Sequence, residues 1–478
     1  MGAKELKNSL FIKSQKLLKE IEQKKDIFIF TNSTVDGIIS GSIILKSIFN
    51  NLGNAMIRCS SGKIENNMDE IIKEKHDFYI FTDFNSNIID IINKIFNEDN
   101  FLFINTDEIT KSNNDNTYEN ILNPWTYNIN GQKEITCAGL AYFLVKNFDR
   151  NSNSLSFLPV ISAISKEQDI GENKSLTSFN NEILQTSLKL NLIEQKTRLD
   201  ISEKETVPIT NILENNITHY IKEITWNNES SLKIIKDSNL LIDTDGNPKL
   251  FNELDEKEFA SIYESIIRFL QNNSKLNNNQ IIKDLLFGYS YILINEEDEG
   301  FMKNARSFVK VLSLCLTSQK SGLALSLCLG ERGQILKDVC DLVIEYNSVI
   351  KKTSSQLFGE KWRFYDDKES IFINGEGILD GTNVSPFVSF LESSVSFADR
   401  LICLRILESE EYYKFIITKT KFCNYDLISI KEKIIKMINK DEDIKINDKN
   451  KLEIIISASN LEGFLSNIKK IIINEKTS

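Results

Sequence analysis

Histidine is nearly absent from the sequence, with His76 and His219 as the two examples in 478 residues. Imidazole is the commonest metal ligand and the usual base of a catalytic triad, so this scarcity argues strongly against a multi-histidine metal centre. It also excludes a Ser-His-Asp triad unless one of the two histidines serves it. We expect both to be surface or hydrogen-bonded side chains, and we assign neither a catalytic role.

Long apolar runs and paired cysteines are also missing. No stretch approaches 18 consecutive apolar residues, and residues 1–20 have the pattern of a charged amphipathic helix rather than a signal peptide. We therefore expect a cytoplasmic protein without a membrane contact. The seven cysteines are odd in number, scattered and never arranged as CxxC. This pattern predicts buried, reduced thiols rather than a zinc site or a disulfide framework.

Positive charge is in deficit, since 57 basic residues stand against 68 acidic ones and the net charge is −11. A protein that coats nucleic acid needs a basic surface, so that function class is disfavoured, although a local basic groove stays open. Hydrophobic residues make up 41% and charged residues 26% of the chain, which is typical of a folded globular protein. A chain of this length predicts two to four domains.

Strands alternate with helices in the first part of the chain. Apolar segments at 26–31, 55–60, 78–83 and 101–105 read as strands with helical patterns between them, which predicts an α/β fold with a parallel sheet. Ligands of such sheets bind at the carboxyl ends of the strands. The candidate site residues therefore lie in three segments: Asn32–Asp36, Asp83–Asn87 and Asn105–Asp107.

Three domains are predicted from the change in pattern along the chain. Residues 1–190 form the first α/β domain, 191–290 a mainly helical middle region, and 291–478 a second α/β domain. We assign the apolar run at 322–330 to a strand of this last domain.

Polar turns follow the predicted strands in a fixed order. The first strand runs into Asn32-Ser-Thr-Val-Asp-Gly37, the third ends at Asp83, and the fourth is followed by Asn105-Thr-Asp107. Further on come Asn123-Pro-Trp-Thr-Tyr and Ser162-Ala-Ile-Ser-Lys166. This collinear order resembles the DHH phosphoesterase superfamily, and in particular the archaeal RecJ-like proteins.

The resemblance implies a degenerate active site. The family motif His-x-Asp-x-Asp-Gly falls on residues 32–37, the Asp-His-His triplet on 105–107, and an aspartate ligand on position 166. Of these metal-ligating side chains Asp36 is retained, and Asp83 meets the family's strand-ending aspartate. The resemblance is weaker over a second, DHH-associated-like domain, where the family's arginine and late histidine have no counterpart. The positions that correspond to the former metal site are Asn32, Thr34, Asp36, Asp83, Asn105, Thr106, Asp107 and Lys166.

The family's chemistry, by resemblance, is phosphodiester hydrolysis with a pair of Mn²⁺ or Mg²⁺ ions. Two such ions need an oxygen-rich ligand shell, and the remaining aspartates do not supply one. A lysine at position 166 would repel a second ion. We therefore expect no catalytic residues, no cofactor, and Lys166 within ion-pairing distance of Asp36 or Asp83. Asp36 and Asp83 are equally explained as residues that begin a helix and end a strand.

Three functions remain open. The first is a catalytically inactive scaffold in an archaeal replicative helicase complex with GINS and the MCM helicase, in contact with single-stranded DNA. It follows from similarity to the Cdc-forty-five subunit of the eukaryotic replicative helicase. The second is an active single-strand nuclease or phosphoesterase with an unorthodox Mn²⁺ or Mg²⁺ site. The third is a pseudo-enzyme that regulates an active RecJ-like paralogue.

Overall fold

The structure is a computed structural model. It describes residues 2–60, 65–108, 120–201, 204–216, 219–243, 245–273, 279–367, 370–381, 383–438, 444–448 and 451–476.

Helices and strands alternate through the first part of the chain, and both types return towards its end. The helices are α1 (Gly2–Glu22), α2 (Val35–Asn50), α3 (Glu65–Glu74), α4 (Ile89–Ile95), α5 (Cys137–Val145), α6 (Phe157–Ser165), α7 (Ser178–Lys189), α8 (Ile209–Asn215), α9 (Asn228–Asp237), α10 (Glu256–Asn273), α11 (Asn279–Leu286), α12 (Ala305–Thr317), α13 (Ser321–Leu329), α14 (Gly333–Gly359), α15 (Val384–Glu392), α16 (Leu427–Ile438) and α17 (Leu461–Lys476). The strands are β1 (Asp26–Thr31), β2 (Asn54–Cys59), β3 (Phe78–Thr82), β4 (Phe101–Ile104), β5 (Ile121–Leu122), β6 (Ile193–Leu199), β7 (Phe287–Leu293), β8 (Phe364–Asp366), β9 (Ser370–Asn374), β10 (Leu401–Ser409), β11 (Tyr412–Lys419), β12 (Ile444–Asp448) and β13 (Lys451–Ser457).

The chain forms two compact units, each built from separate stretches of sequence. Unit 1 contains Met1–Arg198, Glu203–Thr206 and Gly288–Val343, and unit 2 contains Leu199–Ser202, Val207–Phe287 and Ile344–Ser478. This division differs from the three predicted segments, because residues 288–343 group with the first unit and 207–287 with the last part of the chain. The predicted helical middle region holds α8 to α11, together with strand β6 and the start of β7.

Unit 1 contains a five-stranded parallel sheet in the order β2-β1-β3-β4-β5, which confirms the predicted α/β class. Its inner strands are apolar on both faces. Ile27 and Ile29 of β1 join the core formed with α2 and α5, while Phe28 and Phe30 join a second core with residues of α3 and α4. A strand that is covered by helices on both faces must be apolar on both faces. The segment DIFIFT, which forms β1, has this property.

Unit 2 contains a six-stranded mixed sheet in the order β12-β13-β11-β10-β9-β8. Strand β10 runs parallel to β9 and antiparallel to β11. The helices α8 to α11 form a separate apolar core within the same unit. The predicted strands at 370–377, 400–407, 413–420 and 451–459 are confirmed as β9, β10, β11 and β13.

The prediction of a strand at 322–330 is wrong, because this run is helix α13. Leucine alternates in this segment with Ala324, Ser326 and Cys328, and a segment of nine residues cannot be assigned to helix or strand by such a pattern alone. Leucine and alanine favour the helix, and α13 packs against α2 within unit 1. Gly330 ends the helix in the left-handed region at φ 103°, as a glycine at this position commonly does.

All seven cysteines are free thiols, as the sequence predicted. Five are buried, and Cys59 and Cys340 are half-buried. His76 stacks on Phe28 with ring centroids 4.6 Å apart, so it has a packing role. No helix among the described residues is long and apolar enough to cross a bilayer.

Candidate functional site

The predicted site residues of unit 1 lie where three strands end side by side. The last residues of β1, β3 and β4 are paired in parallel register. The residues that follow them, Asn32, Asp83 and Asn105, therefore lie along one edge of the sheet. Helix α2 begins at this edge with Asp36 in its first turn. This is the placement expected for ligand sites in parallel sheets.

Asp36 is fully buried, and its carboxylate joins three helices. One oxygen accepts a hydrogen bond from the Cys137 amide at 3.0 Å. The other accepts from the Ala138 amide at 2.8 Å and from the Ser162 hydroxyl at 2.7 Å. Because Cys137 and Ala138 open helix α5, the negative charge lies against the positive end of the helix dipole. Asp36 thus connects α2 with the start of α5 and with α6.

Asp83 is fixed by the two residues that stand at former ligand positions. Its backbone has a φ of 58°, and its carbonyl accepts a hydrogen bond from the side-chain nitrogen of Asn32 at 2.9 Å. Its carboxylate accepts a hydrogen bond from the Thr34 hydroxyl. The same Thr34 oxygen accepts from the Gly37 amide at 2.9 Å and so caps helix α2. Asn32 and Thr34 therefore act as donors to an aspartate rather than as metal ligands.

Lys166, at the end of α6, brings a positive charge to both aspartates. Its ammonium nitrogen lies 3.2 Å from an Asp83 oxygen and 3.9 Å from an Asp36 oxygen. The side chains of Asp36 and Asp83 are 0% and 7% exposed, whereas that of Lys166 is 37% exposed. The predicted ion pair is confirmed. Two neighbouring buried carboxylates repel each other, and the ammonium compensates part of their charge.

The pKa values of Asp36 and Lys166 are both shifted in this cluster. Burial and the neighbouring Asp83 raise the pKa of Asp36 to about 6, although Lys166 and the hydrogen bond from Ser162 act in the opposite direction. Burial alone would lower the pKa of Lys166, but the carboxylates of Asp83 and Asp36 raise it above its usual value. Lys166 is therefore protonated at neutral pH, and Asp36 is close to its titration range.

Cys137 and Ser162 belong to the site, and the sequence analysis did not single them out. The Cys137 sulphur lies 3.5 Å from an Asp83 oxygen and 3.8 Å from the Thr106 hydroxyl. Burial, followed by the charges of Asp36 and Asp83, raises the thiol pKa well above its usual value. Ser162 lies in the segment Ser162–Lys166 that the sequence analysis named, whereas Cys137 was considered there only as one of seven scattered cysteines.

The remaining predicted residues are held by the Asn-Pro-Trp segment. The Asn123 side-chain nitrogen donates to the Asn105 side chain at 2.7 Å and to the Asp107 carbonyl at 2.9 Å. The Trp125 indole donates to the Thr106 carbonyl at 2.9 Å. These contacts brace the chain after β4. Five of the eight predicted site residues thus converge: Asn32, Thr34, Asp36, Asp83 and Lys166. Thr106 contacts this cluster through Cys137. Asn105 and Asp107 are instead hydrogen-bonded to Asn123.

A metal pair does not fit this set of side chains. Among the described residues, one set of carboxylate, thiol or imidazole groups has ligand atoms within 4.8 Å of one another, and it consists of Asp36, Asp83 and Cys137. Mn²⁺ and Mg²⁺ prefer oxygen ligands, and the thiol is held protonated. The Lys166 ammonium contacts the carboxylates of both aspartates. A metal ion would need the lone pairs of these same carboxylate oxygens.

Comparison with known proteins gives matches in structure. No protein-family model matches the chain, and no curated protein sequence matches it. CDC45 from Entamoeba histolytica superposes with a TM-score of 0.62 at 13% identity, over 97% of this chain and 99% of that one. An exonuclease RecJ structure with bound manganese gives a TM-score of 0.53 at 10% identity, over 97% of this chain and 94% of that one.

Both matches extend over nearly the whole of each protein, so the likeness includes both units. At this low identity the comparison concerns the fold, and it agrees with the resemblance deduced from the order of the motifs. The chain has the RecJ-like, DHH-type fold that CDC45 and the exonuclease RecJ share.

Proposed function

We propose that this chain is a catalytically inactive RecJ-like protein that acts by binding. In this proposal it holds no catalytic metal and is a scaffold subunit of a replicative helicase complex with GINS and the MCM helicase. It also contacts single-stranded DNA. An archaeal origin and a cytoplasmic location are part of the same proposal.

The contact of Lys166 with Asp36 and Asp83 is the observation that carries the proposal. A phosphodiesterase of the two-metal type needs carboxylates that are free to clamp divalent ions. Here the aspartates are satisfied by an ammonium, a helix start and hydroxyl donors. Asn32, Thr34 and Lys166 all contribute to this internal network around the two aspartates.

The likeness to CDC45 supports the partner part of the proposal. It covers 99% of that protein at the higher of the two TM-scores reported above. The acidic balance of 68 acidic against 57 basic residues suits a protein–protein role better than a nucleic-acid coat.

A nuclease assay with Mn²⁺ on a labelled single-stranded oligonucleotide tests the catalytic part. We expect no degradation and no tight Mn²⁺ binding in calorimetry. The triple variant Asn32→His, Thr34→Asp, Lys166→Asp should gain measurable Mn²⁺ binding, because it restores an imidazole and carboxylates and removes the ammonium. Lys133→Asp, which adds a carboxylate at an exposed lysine of the same unit, is the matched control and should gain none.

An active enzyme with an unorthodox site is the second candidate, and the proximity of Asp36, Asp83 and Cys137 favours it. In that case wild-type protein would degrade the oligonucleotide with Mn²⁺. The activity would disappear in Asp36→Ala and in Cys137→Ala. Tight binding of two Mn²⁺ per wild-type chain would also overturn the proposal that the protein is catalytically inactive.

A pull-down with GINS tests the partner part. We expect a stable complex, with an interface of roughly 1,200–2,000 Å² or more if it is persistent. Co-purification with an active RecJ-like paralogue, in the absence of GINS and MCM, would favour the regulatory pseudo-enzyme instead.

A further inference from the structure

Strand β2 is an edge strand of the five-stranded sheet in unit 1. It pairs with β1 in unbroken parallel register from Asn54 to Cys59, and within the described residues no further strand lies beyond it. The inner strands β1 and β3 are buried almost throughout, whereas β2 is half-exposed. Met56, in the middle of β2, is 50% exposed. The side of β2 that faces away from β1 is therefore a candidate for an intermolecular contact.

The hydrogen bonds to β1 identify which backbone groups of β2 point outward. The Ser60 amide donates to the Thr31 carbonyl at 2.8 Å. Successive residues of a strand direct their amides and carbonyls alternately to its two sides, so Ala55, Ile57 and Cys59 direct theirs away from β1. In the part of the chain that the structure describes, no residue forms a hydrogen bond with these three amides and three carbonyls. They form a row of open donors and acceptors.

This edge lacks the features that commonly protect edge strands. Such strands are often short or bulged, or they carry proline or lysine. The other edge strands of the two larger sheets fit this description, since β5 has two residues, β8 has three, and β12 has a register shift before Asp448. In contrast, β2 has six residues without proline, lysine or a register shift. An open edge of this kind is a template for strand pairing between chains.

We infer that β2 pairs antiparallel with β2 of a second copy of this chain, about a twofold axis at Ile57. In this register Ala55 lies opposite Cys59 of the second copy, and Met56 lies opposite Arg58 of the second copy. Each outward amide meets an outward carbonyl, because hydrogen-bonded residues in an antiparallel pair exchange both bonds. The two five-stranded sheets then form one continuous sheet.

The side chains of β2 favour a second copy as the occupant of this edge. Arg58 is the one charged residue of the strand; it is paired with Glu74, and its guanidinium carbon lies 5.6 Å from the ring centroid of Phe28. In the twofold register it lies opposite Met56 of the second copy, so like charges are not directly opposed. The aliphatic part of the arginine covers the exposed part of that methionine. The inference goes beyond the proposed function and does not depend on GINS binding or on the absence of a metal.

Sedimentation velocity of the full chain at several concentrations tests the pairing. We expect a monomer–dimer equilibrium that shifts towards dimer as concentration rises. Met56→Lys places an ammonium opposite Arg58 of the second copy and should weaken dimerisation by about tenfold, whereas Met56→Glu places a carboxylate there and should retain or strengthen it. The two variants change the same exposed side chain by opposite charges, so each is the control of the other. Circular dichroism checks that both are folded.

The native Cys59 provides a separate test of the register. Opposed Cα atoms in a hydrogen-bonded antiparallel pair lie about 5.5 Å apart, a distance that a disulfide spans. Mild oxidation with diamide should therefore give a covalent dimer of Ala55→Cys, and none of the double variant Ala55→Cys, Cys59→Ser.

Three results would each overturn the inference: a monomer at every concentration, equal dimerisation of Met56→Lys and Met56→Glu, or a dimer that Ala55→Cys does not cross-link. A monomeric wild type in which Met56→Lys lowers GINS capture would assign the edge to a strand of that partner instead. Loss of GINS capture in wild type, with the dimer and its variants behaving as expected, would contradict the proposed function and leave the pairing of β2 intact.

Discussion

Lys166 brings a compensating positive charge to two neighbouring carboxylates. The ammonium of Lys166 lies within 4.0 Å of both remaining aspartates. Without a cation, the two carboxylates would repel each other in a buried site. A lysine satisfies this requirement with a charge carried by the chain itself, and its long apolar stem reaches the site from the end of α6. Lys166 therefore reduces the repulsion between the two aspartates.

We predict that Lys166→Ala destabilises the protein by about 1–3 kcal/mol at pH 8. Removing one member of a fully buried pair costs roughly 3–5 kcal/mol, and the value is lower here because the Lys166 side chain is 37% exposed and its charge is partly screened. Urea unfolding, followed by circular dichroism, measures the loss. Lys133→Ala, at an exposed lysine of unit 1, should change stability by a few tenths of a kcal/mol.

The same variant should show a characteristic pH dependence. Lys166 lowers the pKa of Asp36, so its removal moves that pKa above its present value of about 6. A carboxyl whose pKa is raised in the folded state stabilises the fold at low pH, and this contribution is lost as pH rises through the folded pKa. The difference in unfolding free energy between wild type and Lys166→Ala should therefore grow from pH 4 to pH 8. A constant difference over this range would contradict the ion-pair argument.

At the scale of elements, the first turn of α5 gives Asp36 a structural role that requires no metal. Two amides that begin the helix have no partner within it, and the Asp36 carboxylate accepts a hydrogen bond from each. Ser162 of α6 donates to the same carboxylate. The Asp36 side chain thus accepts hydrogen bonds from α5 and α6, two helices that are distant from Asp36 in sequence.

We predict that Asp36→Ala costs about 2–4 kcal/mol, because two buried amides and a hydroxyl lose their acceptor. The loss should be equal in EDTA and in Mn²⁺, since no ion is involved. Hydrogen exchange should accelerate at the Cys137 and Ala138 amides. Ser162→Ala removes one donor and leaves both amide bonds, so it should cost less. A loss that appears in Mn²⁺ but not in EDTA would instead identify Asp36 as a metal ligand.

Two glycines test the assignment of residues 321–329 to helix α13 rather than to a strand. Gly322 lies inside the helix, and a Cβ there would meet nothing within 4 Å. Gly330 ends the helix at φ 103°, where an L side chain is strained. We predict that Gly322→Ala stabilises the protein by roughly 0.5–1 kcal/mol and that Gly330→Ala destabilises it by about 1 kcal/mol. Thermal melts of the two variants measure both changes. Two shifts of the same sign would contradict the helix bounds.

At the scale of the whole molecule, charge sets the conditions for nucleic-acid binding. The chain carries a net charge of −11, so phosphate contacts come from a small part of the surface. We predict weak binding of single-stranded DNA that falls roughly tenfold or more between 50 and 200 mM salt, as expected for about three phosphate contacts. Polarisation titrations at several salt concentrations measure the slope. A salt-independent affinity would contradict this account.

Much of unit 1 could be predicted from its residues. Strand segments such as DIFIFT and FYIFT are short, apolar and bounded by polar turns, and local pattern is sufficient to assign them. The order of the turns also predicted which residues meet at the edge of the sheet. The strand prediction for 322–330 failed because leucine alternates there with alanine, serine and cysteine, and so short a pattern does not distinguish a strand from a buried helix. The domain bounds differed because α12, α13 and the first part of α14 pack with unit 1 although they follow α11.

The sequence by itself determined that the chain has two histidines and that polar residues, among them Asp36 and Asp83, follow its predicted strands, since these are facts of residue identity. Tertiary structure decided what these residues contact. Asp36, Asp83, Cys137 and Lys166 are separated by up to 130 positions, and their contacts depend on strand register and on where helices begin. Register determines which residues of neighbouring strands lie side by side, whereas a sequence pattern specifies only which elements exist. Burial, which raises the pKa of Asp36, is likewise a property of the packed chain.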